Sequence, residues 1–550
     1  MELYKCVFLF LMVLFLTTSL IVPVNADFDL MDVREIQHFA LLEDQVQEKI
    51  SFMVWFHSSV PDTVKNEFIE TGFVETTEQS MSDIQLIPEI VYPPEDYLPD
   101  WELTYNFALA VPFMSVEQGV SINDIKAAWF GREFSVFNGK PLLLSKNTFE
   151  MIRAVWGDPV TGGTYTVPST QLLTSSLEKG STWVILPFEE INPRWKILTV
   201  SGISPIDSDF MQERYPLKVS FRLKKTSENF DVKGLLNSLP ENPGNRKDDL
   251  FTDVILTGTT ALVRNTALKM EEKGLLYPAK RIADLLKKAD ITHISNEVSF
   301  DPNCPPAIPL RREMRFCSSP EFINLLLYIG ADVIDLTGNH LFDWGSQPFL
   351  TTLSLYDQYG LPYYGAGLDI NAAREPLLID KKGNKFAFIG CNVAGPEIAW
   401  AGEEIPGVAF CDFEQLELDI REVKSQGYIP IVTFQHFEAD IYEPHSSQRI
   451  DFYKALDYGA VIVSGSQSHF PQAFAIQDGS FIHFGLGNLF FDQMTNGNEK
   501  AFIDRHIFYD GEYINTELIP IILVDYAVPH IMTGENRNDF LEMIYGYSKW

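Results

Sequence analysis

The chain has 550 residues, of which 46% are hydrophobic and 21% are charged, and its formal net charge is −33 at pH 7. This length exceeds what one hydrophobic core supports, so we expect two or three domains, and the composition is that of a globular protein. The negative charge repels phosphate backbones and no basic patch offsets it, which excludes nucleic acid as a partner.

The amino terminus has the pattern of a targeting segment. A short stretch with one lysine precedes an apolar run over residues 7–22, and Val24, Asn25 and Ala26 supply the small residues of a cleavage site. This pattern predicts a secretory signal peptide over residues 1–26 and therefore an extracytoplasmic protein. The alternative is an uncleaved membrane anchor, because the apolar run is only slightly shorter than a membrane span.

Four cysteines follow the predicted cleavage site, namely Cys304, Cys317, Cys391 and Cys411. An even number of cysteines in an exported protein indicates disulfides, and three connectivities are open. We expect local pairing, Cys304 with Cys317 and Cys391 with Cys411. Each short loop would then stabilise the fold by about 3 kcal/mol in the chain-entropy model. Zinc ligation is the alternative, although no Cys-x-x-Cys spacing occurs.

The first region, residues 27–237, alternates strand and helix patterns. Apolar runs at 54–56 and 107–111 predict strands, and the segments 122–129 and 146–156 have helical periodicity, which together indicate a parallel or mixed sheet. Two segments, 110–131 and 184–198, resemble periplasmic substrate-binding proteins. The resemblance implies an α/β binding-protein-like domain without naming a ligand. The alternative is an α/β domain that has no small-molecule site.

A polar stretch with proline and glycine, residues 238–249, predicts a linker to a second α/β domain over residues 250–535. In this domain we predict strands at 253–258, 291–295, 330–336, 386–390, 429–434, 459–464 and 481–484, and helices at 278–289, 320–330 and 349–359. Polar side chains follow the carboxyl ends of these strands, which is where open α/β sheets bind their ligands.

Asn339 and His340 follow one of the predicted strands, and Asp343 lies three residues after the histidine. A histidine can donate or accept a proton near neutral pH, and a carboxylate can fix its tautomer. We therefore predict that His340 is a general acid held by Asp343, with Arg264 neutralising developing oxyanion charge. The alternative for the Asn-His-x-x-Asp segment is a polar turn that caps the next helix.

Four strand-end residues form a candidate metal site: Glu297, Asn339, His436 and His469. A carboxylate, an amide oxygen and two imidazoles suit Mn, Fe or Zn better than Ca or Mg. Such a metal would activate water and polarise a phosphoryl or acyl group. Each histidine taken alone has the alternative of an ordinary core or surface residue. His293, His445 and His483 are predicted to be structural.

Six short elements occur in order between residues 253 and 495. They are Thr257-Gly258-Thr259 with Arg264, Ser295-Asn296-Glu297, the segment 337–345, His436 with Asp440, the segment 465–472, and the segment 485–490. This series resembles the CapA family of capsule and poly-γ-glutamate synthesis proteins, a branch of the calcineurin-like metallophosphoesterase fold. The resemblance implies a layered metallophosphoesterase-like α/β domain.

Three positions depart from that family pattern, and at one of them Glu438 replaces the glycine of the His436 element. Thr259 stands where the family has a metal-binding aspartate, and Gln467 stands where it has the first of two histidines. The changes leave a single-metal site or none. We therefore regard Thr259, Gln467, Asn488 and Asp440 as candidate substrate-binding residues.

The resemblance implies an exported CapA-like protein of capsule or poly-γ-glutamate synthesis or processing. It would be a metal-dependent, phosphoesterase-like hydrolase or transferase acting at a phosphoryl or γ-glutamyl group. The alternative is a non-enzymatic surface protein that binds an envelope polymer or a small anion as part of an export assembly. A third hypothesis is a solute receptor that acts through the first domain alone.

Overall fold

The computed structural model describes residues 52–89, 97–131, 141–226, 232–240, 244–308, 314–495 and 497–549. The signal peptide predicted over residues 1–26 lies outside the described residues, and so do residues 241–243 of the predicted linker. Within the described ranges, no helix combines the length and the apolar character needed to cross a membrane.

The strands are β1 Met53–Phe56, β2 Val74–Glu75, β3 Ile84–Pro88, β4 Tyr97–Pro112, β5 Gly119–Val120, β6 Leu142–Leu144, β7 Thr164–Thr166, β8 Val184–Pro187, β9 Trp195–Val200, β10 Lys218–Lys225, β11 Phe251–Thr260, β12 Ile291–Asn296, β13 Val333–Asp335, β14 Tyr363–Tyr364, β15 Ala366–Gly367, β16 Leu377–Lys381, β17 Asn384–Asn392, β18 Gly407–Val408, β19 Ile429–Gln435, β20 Ile462–Ser466, β21 Phe474–Gln477, β22 Ser480–His483, β23 Asn488–Phe490, β24 Lys500–Tyr509, β25 Glu512–Val524 and β26 Val528–Ile531. The α-helices are α1 Asp62–Glu70, α2 Ile122–Trp129, α3 Lys146–Trp156, α4 Leu172–Glu178, α5 Val232–Ser238, α6 Arg264–Lys273, α7 Ala283–Lys288, α8 Ile323–Tyr328, α9 Ser346–Tyr359, α10 Ile370–Arg374, α11 Phe413–Ser425, α12 Ser446–Tyr458 and α13 Gly534–Tyr547.

The first region is built on a mixed sheet in the order β2-β1-β3-β10-β4-β8-β6-β7, with β9 pairing with β4 and β5. The strands predicted at 54–56 and 107–111 and the helices predicted at 122–129 and 146–156 are confirmed. Both helices begin at a serine cap: Ser121 forms a capping box with Asp124, and Ser145 accepts from the Thr148 N–H. Capping satisfies backbone donors that the first turn leaves free.

The remainder contains two larger sheets. The first has the order β14-β13-β12-β11-β24-β25-β26, with β23 also on β11, and the second has the order β16-β17-β19-β20-β22-β21. In the first sheet β11 to β14 run parallel, and in the second β17, β19, β20 and β22 run parallel. Elements of all three sheets lie in the compact unit that starts at Met53.

The two larger sheets pack face to face. Buried side chains of β11, such as Val254 and Leu256, meet Phe386 and Phe388 of β17 in a shared apolar core. Helices α6 to α9 cover the outer face of the first sheet, and α11 and α12 cover the outer face of the second. The result is an α/β/β/α sandwich, which confirms the predicted layered α/β class.

Two predicted helices are shorter and less regular than expected. The segment 278–289 forms a 3₁₀ turn over Tyr277–Arg281 before α7, and the segment 320–330 forms a 3₁₀ turn over Pro320–Phe322 before α8. Pro278 and Pro320 lie in these first turns and lack the N–H of a regular helix. Ile282, at the junction, has φ −122° and is fully buried, so core packing overrides the local periodicity.

Both predicted disulfides are confirmed. Cys304 bonds to Cys317 and closes the segment between β12 and α8. Cys391 of β17 bonds to Cys411, which precedes α11. Each bond joins positions that are neighbours along the chain as well as in space, which is why local pairing was predictable from sequence.

Asp335, at the end of β13, is a buried carboxyl group whose ionisation affects the stability of the fold. It is buried, its Oδ1 accepts from the Thr337 N–H at 2.9 Å, and its Oδ2 has no partner among the described residues. Burial raises its pKa to about 6, against hydrogen bonds that lower it. The protonated Asp335 carboxyl therefore favours the folded state. This contribution to stability is complete below the pKa of the unfolded chain and is lost as the pH rises through about 6.

We expect Asp335→Asn to gain free energy of unfolding relative to the native protein as the pH rises. Between pH 4 and pH 7.5 this relative gain should reach up to about 3 kcal/mol. The measurement is chemical unfolding at both pH values. Asp380→Asn, an exposed aspartate of β16, is the control. A difference between native and Asp335→Asn protein that does not change with pH would contradict the assignment.

Candidate functional site

The carboxyl ends of the parallel strands of both sheets meet at one edge of the sandwich. Glu297 follows β12, Asn339 follows β13, Gln435 ends β19 and Gln467 follows β20. Glu297 and Gln435 are each 1% exposed. The structure therefore brings Glu297, Asn339 and Gln467 together, places His469 Nε2 3.9 Å from Glu297 Oε1, and adds Gln435, which the sequence analysis did not single out.

The amide of Gln435 lies at the centre of this group. Its Nε2 is 3.0 Å from Glu297 Oε1 and 3.0 Å from Asn339 Oδ1, and it also donates to Gln467 Oε1. Ser466 Oγ donates to the other end of the same amide, Gln435 Oε1, which fixes its orientation. One NH₂ group thus shares two hydrogens among three oxygens.

Gly338 allows this close arrangement. A Cβ atom at this position would lie 2.5 Å from Glu297 Cα and 2.6 Å from Glu297 O. Only glycine lets the segment carrying Asn339 lie against the backbone of Glu297. The Gly-Asn-His sequence therefore combines a residue needed for close approach with two polar side chains.

The segment after β20 holds a strained backbone at the same edge. Gln467 and His469 have φ angles of 76° and 52°, in the left-handed region that non-glycine residues rarely adopt. His469 Nδ1 donates to Asn488 Oδ1 at 2.8 Å, while Asn488 Nδ2 donates back to the His469 carbonyl. His469 Nε2 is then left facing Glu297 Oε1 at 3.9 Å.

His436 takes no part in this group. Its Nε2 is 3.2 Å from Asp451 Oδ2 on α12, and its Nδ1 has no partner among the described residues. Burial lowers its pKa, with Asp451 opposing the shift. The predicted metal ligand therefore points toward a helix and not toward Glu297.

His340 and Asp343 form the predicted pair. His340 Nδ1 is 2.7 Å from Asp343 Oδ2, and the Phe316 N–H also donates to Asp343 Oδ2, at 2.7 Å. Burial lowers the pKa of His340, but the hydrogen bond to Asp343 and the charges of Glu297, Asp343 and Glu438 outweigh it, and the pKa is raised. An imidazole held in this way can carry a proton near neutral pH.

Arg264 lies at the rim of the site but is already paired. Its guanidinium donates to Asp492 Oδ1 and packs over Phe316 and Phe491. To neutralise oxyanion charge as predicted, Arg264 would have to exchange its ion pair with Asp492 for a contact with the substrate.

Of the remaining predicted substrate-binding residues, Thr259 and Asn488 are neighbours and Asp440 is separate from them. Thr259 pairs with Asn488 across β11 and β23, and its buried hydroxyl has no partner among the described residues. Asp440 is exposed on the segment after β19.

Residues 253–493 match the model of the family described as bacterial capsule synthesis protein. Over 246 residues the chain is 26% identical to the PGA biosynthesis protein CapA of Bacillus subtilis (strain 168), covering 44% of this chain and 64% of that protein. Over 232 residues it is 24% identical to the capsule biosynthesis protein CapA of Bacillus anthracis, covering 41% of this chain and 56% of that one.

These matches support the CapA family for residues 253–493. The chain spans less than two thirds of the length of these curated relatives. Among solved structures, the 5'-nucleotidase precursor of Thermus thermophilus overlaps 54% of this chain and 58% of its own, with 13% identity and a TM-score of 0.30.

The metal centre that the CapA resemblance implies can be tested against this donor set. The hydrogens of Gln435 already point at the oxygens that a cation would take, and Thr259 offers a neutral hydroxyl in place of a carboxylate. Within the described residues, no three His, Cys, Asp or Glu side chains converge closely enough to hold a metal ion. The residues present do not fit a dinuclear metal centre.

Gln435→Glu tests whether an amide stands in for a cation here. The substitution keeps the shape but removes two donors and places a second buried carboxylate beside Glu297. We expect a loss of about 3 kcal/mol of stability without metal, because an uncompensated charge is buried. Added Mn²⁺ or Zn²⁺ should recover much of that loss.

The measurement is the melting temperature with and without the two cations. Gln426→Glu, an exposed glutamine after α11, is the matched control and should respond to neither change. Native protein whose melting temperature rises with stoichiometric Mn²⁺ or Zn²⁺ would show that Gln435 yields to a metal, against our interpretation.

The His340–Asp343 pair makes a prediction about titration. Because the pKa of His340 is raised in the folded protein, the pair stabilises the fold in acid, and this contribution is lost as the pH rises through that pKa. We expect NMR of histidine-labelled protein to give a pKa above 6.5 for His340, and a lower pKa in Asp343→Asn. His340→Gln assigns the resonance. An unchanged pKa in Asp343→Asn would refute the pairing.

Proposed function

We propose that this protein is an extracytoplasmic accessory component of capsule or poly-γ-glutamate synthesis, and that its CapA-family domain binds the polymer without a metal-dependent hydrolytic step. Support for the process comes from the family of residues 253–493 and from the names of the Bacillus relatives. Two disulfides support an oxidising compartment.

The observation that carries the metal-free part of the proposal is the position of Gln435. Its amide satisfies Glu297, Asn339 and Gln467, so these oxygens are engaged within the protein itself. A hydrolase that relied on a metal-activated water would need those oxygens free to hold the cation. A binding protein has no such need.

Cationic groups at the rim support an anionic polymer as the ligand. Phe316 lies between His340, with ring centroids 4.6 Å apart, and Arg264, whose guanidinium carbon is 5.2 Å from the phenyl centroid. Arg315 is exposed next to them and packs over Trp344. Arg264 and His340 are each paired with an internal carboxylate, so the proposal relies mainly on exposed Arg315 to contact carboxylates along a polymer, with His340 contributing when it is protonated.

The rim predicts the behaviour of variants toward purified poly-γ-glutamate. We expect Arg315→Gln and His340→Gln each to weaken binding several-fold, and binding by the native protein to weaken as salt increases and as the pH rises through the pKa of His340. Co-sedimentation with the polymer measures both effects. Arg421→Gln, an exposed arginine on α11 paired with Glu417, is the control.

A polymer that binds equally well to native protein and to the Arg315→Gln/His340→Gln double variant would refute the rim as the binding surface. Elemental analysis of protein purified from an oxidising compartment without chelator provides the second criterion. Stoichiometric Mn, Fe or Zn would refute the metal-free part of the proposal.

A second candidate function rests on the His340–Asp343 geometry. A positioned imidazole with a raised pKa is a competent general acid, which favours hydrolysis or transfer at a phosphoryl or γ-glutamyl group. Shortening of poly-γ-glutamate by native protein but not by His340→Gln would favour this function over simple binding.

A further inference from the structure

A cavity of about 350 Å³ lies between the first region and the C-terminal sandwich, and none of its lining residues belongs to the strand-end site. Strand β9 contributes Lys196 and Thr199, β25 contributes residues 515–518, and α13 contributes Arg537 and Tyr545. This volume is in the range of pockets that bind small molecules.

Among the described residues, two cations of the cavity, Lys196 and Arg537, make no hydrogen bond or ion pair to a carboxylate. Lys196 Nζ donates to the Ser115 carbonyl at 2.6 Å, and Arg537 Nη1 donates to the Val116 carbonyl at 3.0 Å and to Asn538 Oδ1 at 2.9 Å. Among the described residues, no ion pair involves either side chain, although Arg537 is only 7% exposed. A buried charge without a counter-charge is costly, so this pair requires an explanation.

Arg505 shows how the same cavity treats a cation that serves the fold. Its guanidinium contacts both oxygens of Asp253 at 3.0 Å, and it also pairs with Asp207 and Glu517 at 3.1 Å each. Asp207 and Glu517, the two carboxylates that line the cavity, therefore both contact Arg505. Lys196 and Arg537 are left facing the open volume.

Ser204 gives an independent indication. It lines the cavity, it is 5% exposed, and its hydroxyl has no hydrogen-bond partner among the described residues. A buried hydroxyl left without a partner costs free energy unless a ligand or water satisfies it. Ser204 lines the same cavity as Lys196 and Arg537.

We propose that this cavity is a binding site for a small organic anion, whose carboxylate or phosphate group contacts Arg537 and Lys196 and accepts a hydrogen bond from Ser204. An oxyanion supplies the missing counter-charge and the missing acceptor at once. The site uses residues separate from the strand-end edge, so it stands or falls independently of the proposed function.

The titration of Lys196 agrees with this assignment. Burial, and then the charge of Arg537, lower its pKa to about 7, while Glu517 and Glu117 oppose the shift. A bound anion would favour the protonated amine. Binding should therefore be tighter at pH 6 than at pH 8.5, and this dependence should disappear in Lys196→Met.

The experiment is isothermal titration of the full chain with four probes: glutamate, γ-glutamylglutamate, succinate and inorganic phosphate. We expect saturable binding of at least one probe, weakened about tenfold or more in Arg537→Gln and in Lys196→Met, and about threefold in Ser204→Ala. Comparing the affinities of the three carboxylate probes with that of inorganic phosphate distinguishes a carboxylate ligand from a phosphate.

Arg214→Gln, an exposed arginine outside the cavity, is the matched control and should bind as the native protein does. Circular dichroism and melting temperature verify that each variant is folded, and Arg537→Lys and Ser204→Ala remain informative if Arg537→Gln is not. Absence of binding of all four probes by the native protein would overturn the proposal. So would equal affinity in the native, Lys196→Met and Ser204→Ala proteins.

Discussion

The oxygens of Glu297, Asn339 and Gln467 face one another across a buried edge where two sheets end. Three such acceptors cannot lie together without a cation or a set of hydrogens among them, since each would otherwise lose its solvation without compensation. In this chain the hydrogens come from Gln435, and Ser466 fixes the orientation of that amide. The close approach of Gly338 to Glu297 and the left-handed backbone at Gln467 surround this contact.

The same contact explains how two departures from the CapA pattern can coexist with an intact fold. Thr259 in place of an aspartate and Gln467 in place of a histidine leave fewer metal ligands at the edge. The neutral amide of Gln435 is then sufficient to satisfy the oxygens of Glu297 and Asn339. His340 and Asp343 do not depend on it, because their pairing is anchored by the Phe316 N–H on the segment that the Cys304–Cys317 bond closes. The edge therefore has two parts, a saturated interior and a protonatable rim.

Much of the sandwich could be predicted from sequence because its strands are buried on both faces. Runs such as Ile429–Gln435 are continuous and apolar, so their place and type were clear, and the local disulfides needed only proximity along the chain. The helix predicted at 278–289 was interrupted where Ile282 packs into the core. That interruption depends on neighbours from other elements, which periodicity cannot report.

The role of Gln435 was not predictable for a related reason. Glu297 is 138 residues away from it in sequence, and a glutamine beside a histidine at a strand end carries no signal of what lies opposite. The cavity is a stronger case, because Ser204 and Arg537 belong to different parts of the chain and neither lies in a motif.

Strand β11 has a consequence for how the polypeptide acquires its structure. It pairs with β12 on one side, but its neighbour on the other side, β24, is encoded after residue 499. During synthesis, one hydrogen-bonding edge of this fully buried strand stays open until β24 has been made. Such an edge readily recruits other chains. The order of elements along the chain therefore makes completion of this sheet a late step in folding, because the pairing of β11 with β24 joins segments that are far apart in sequence.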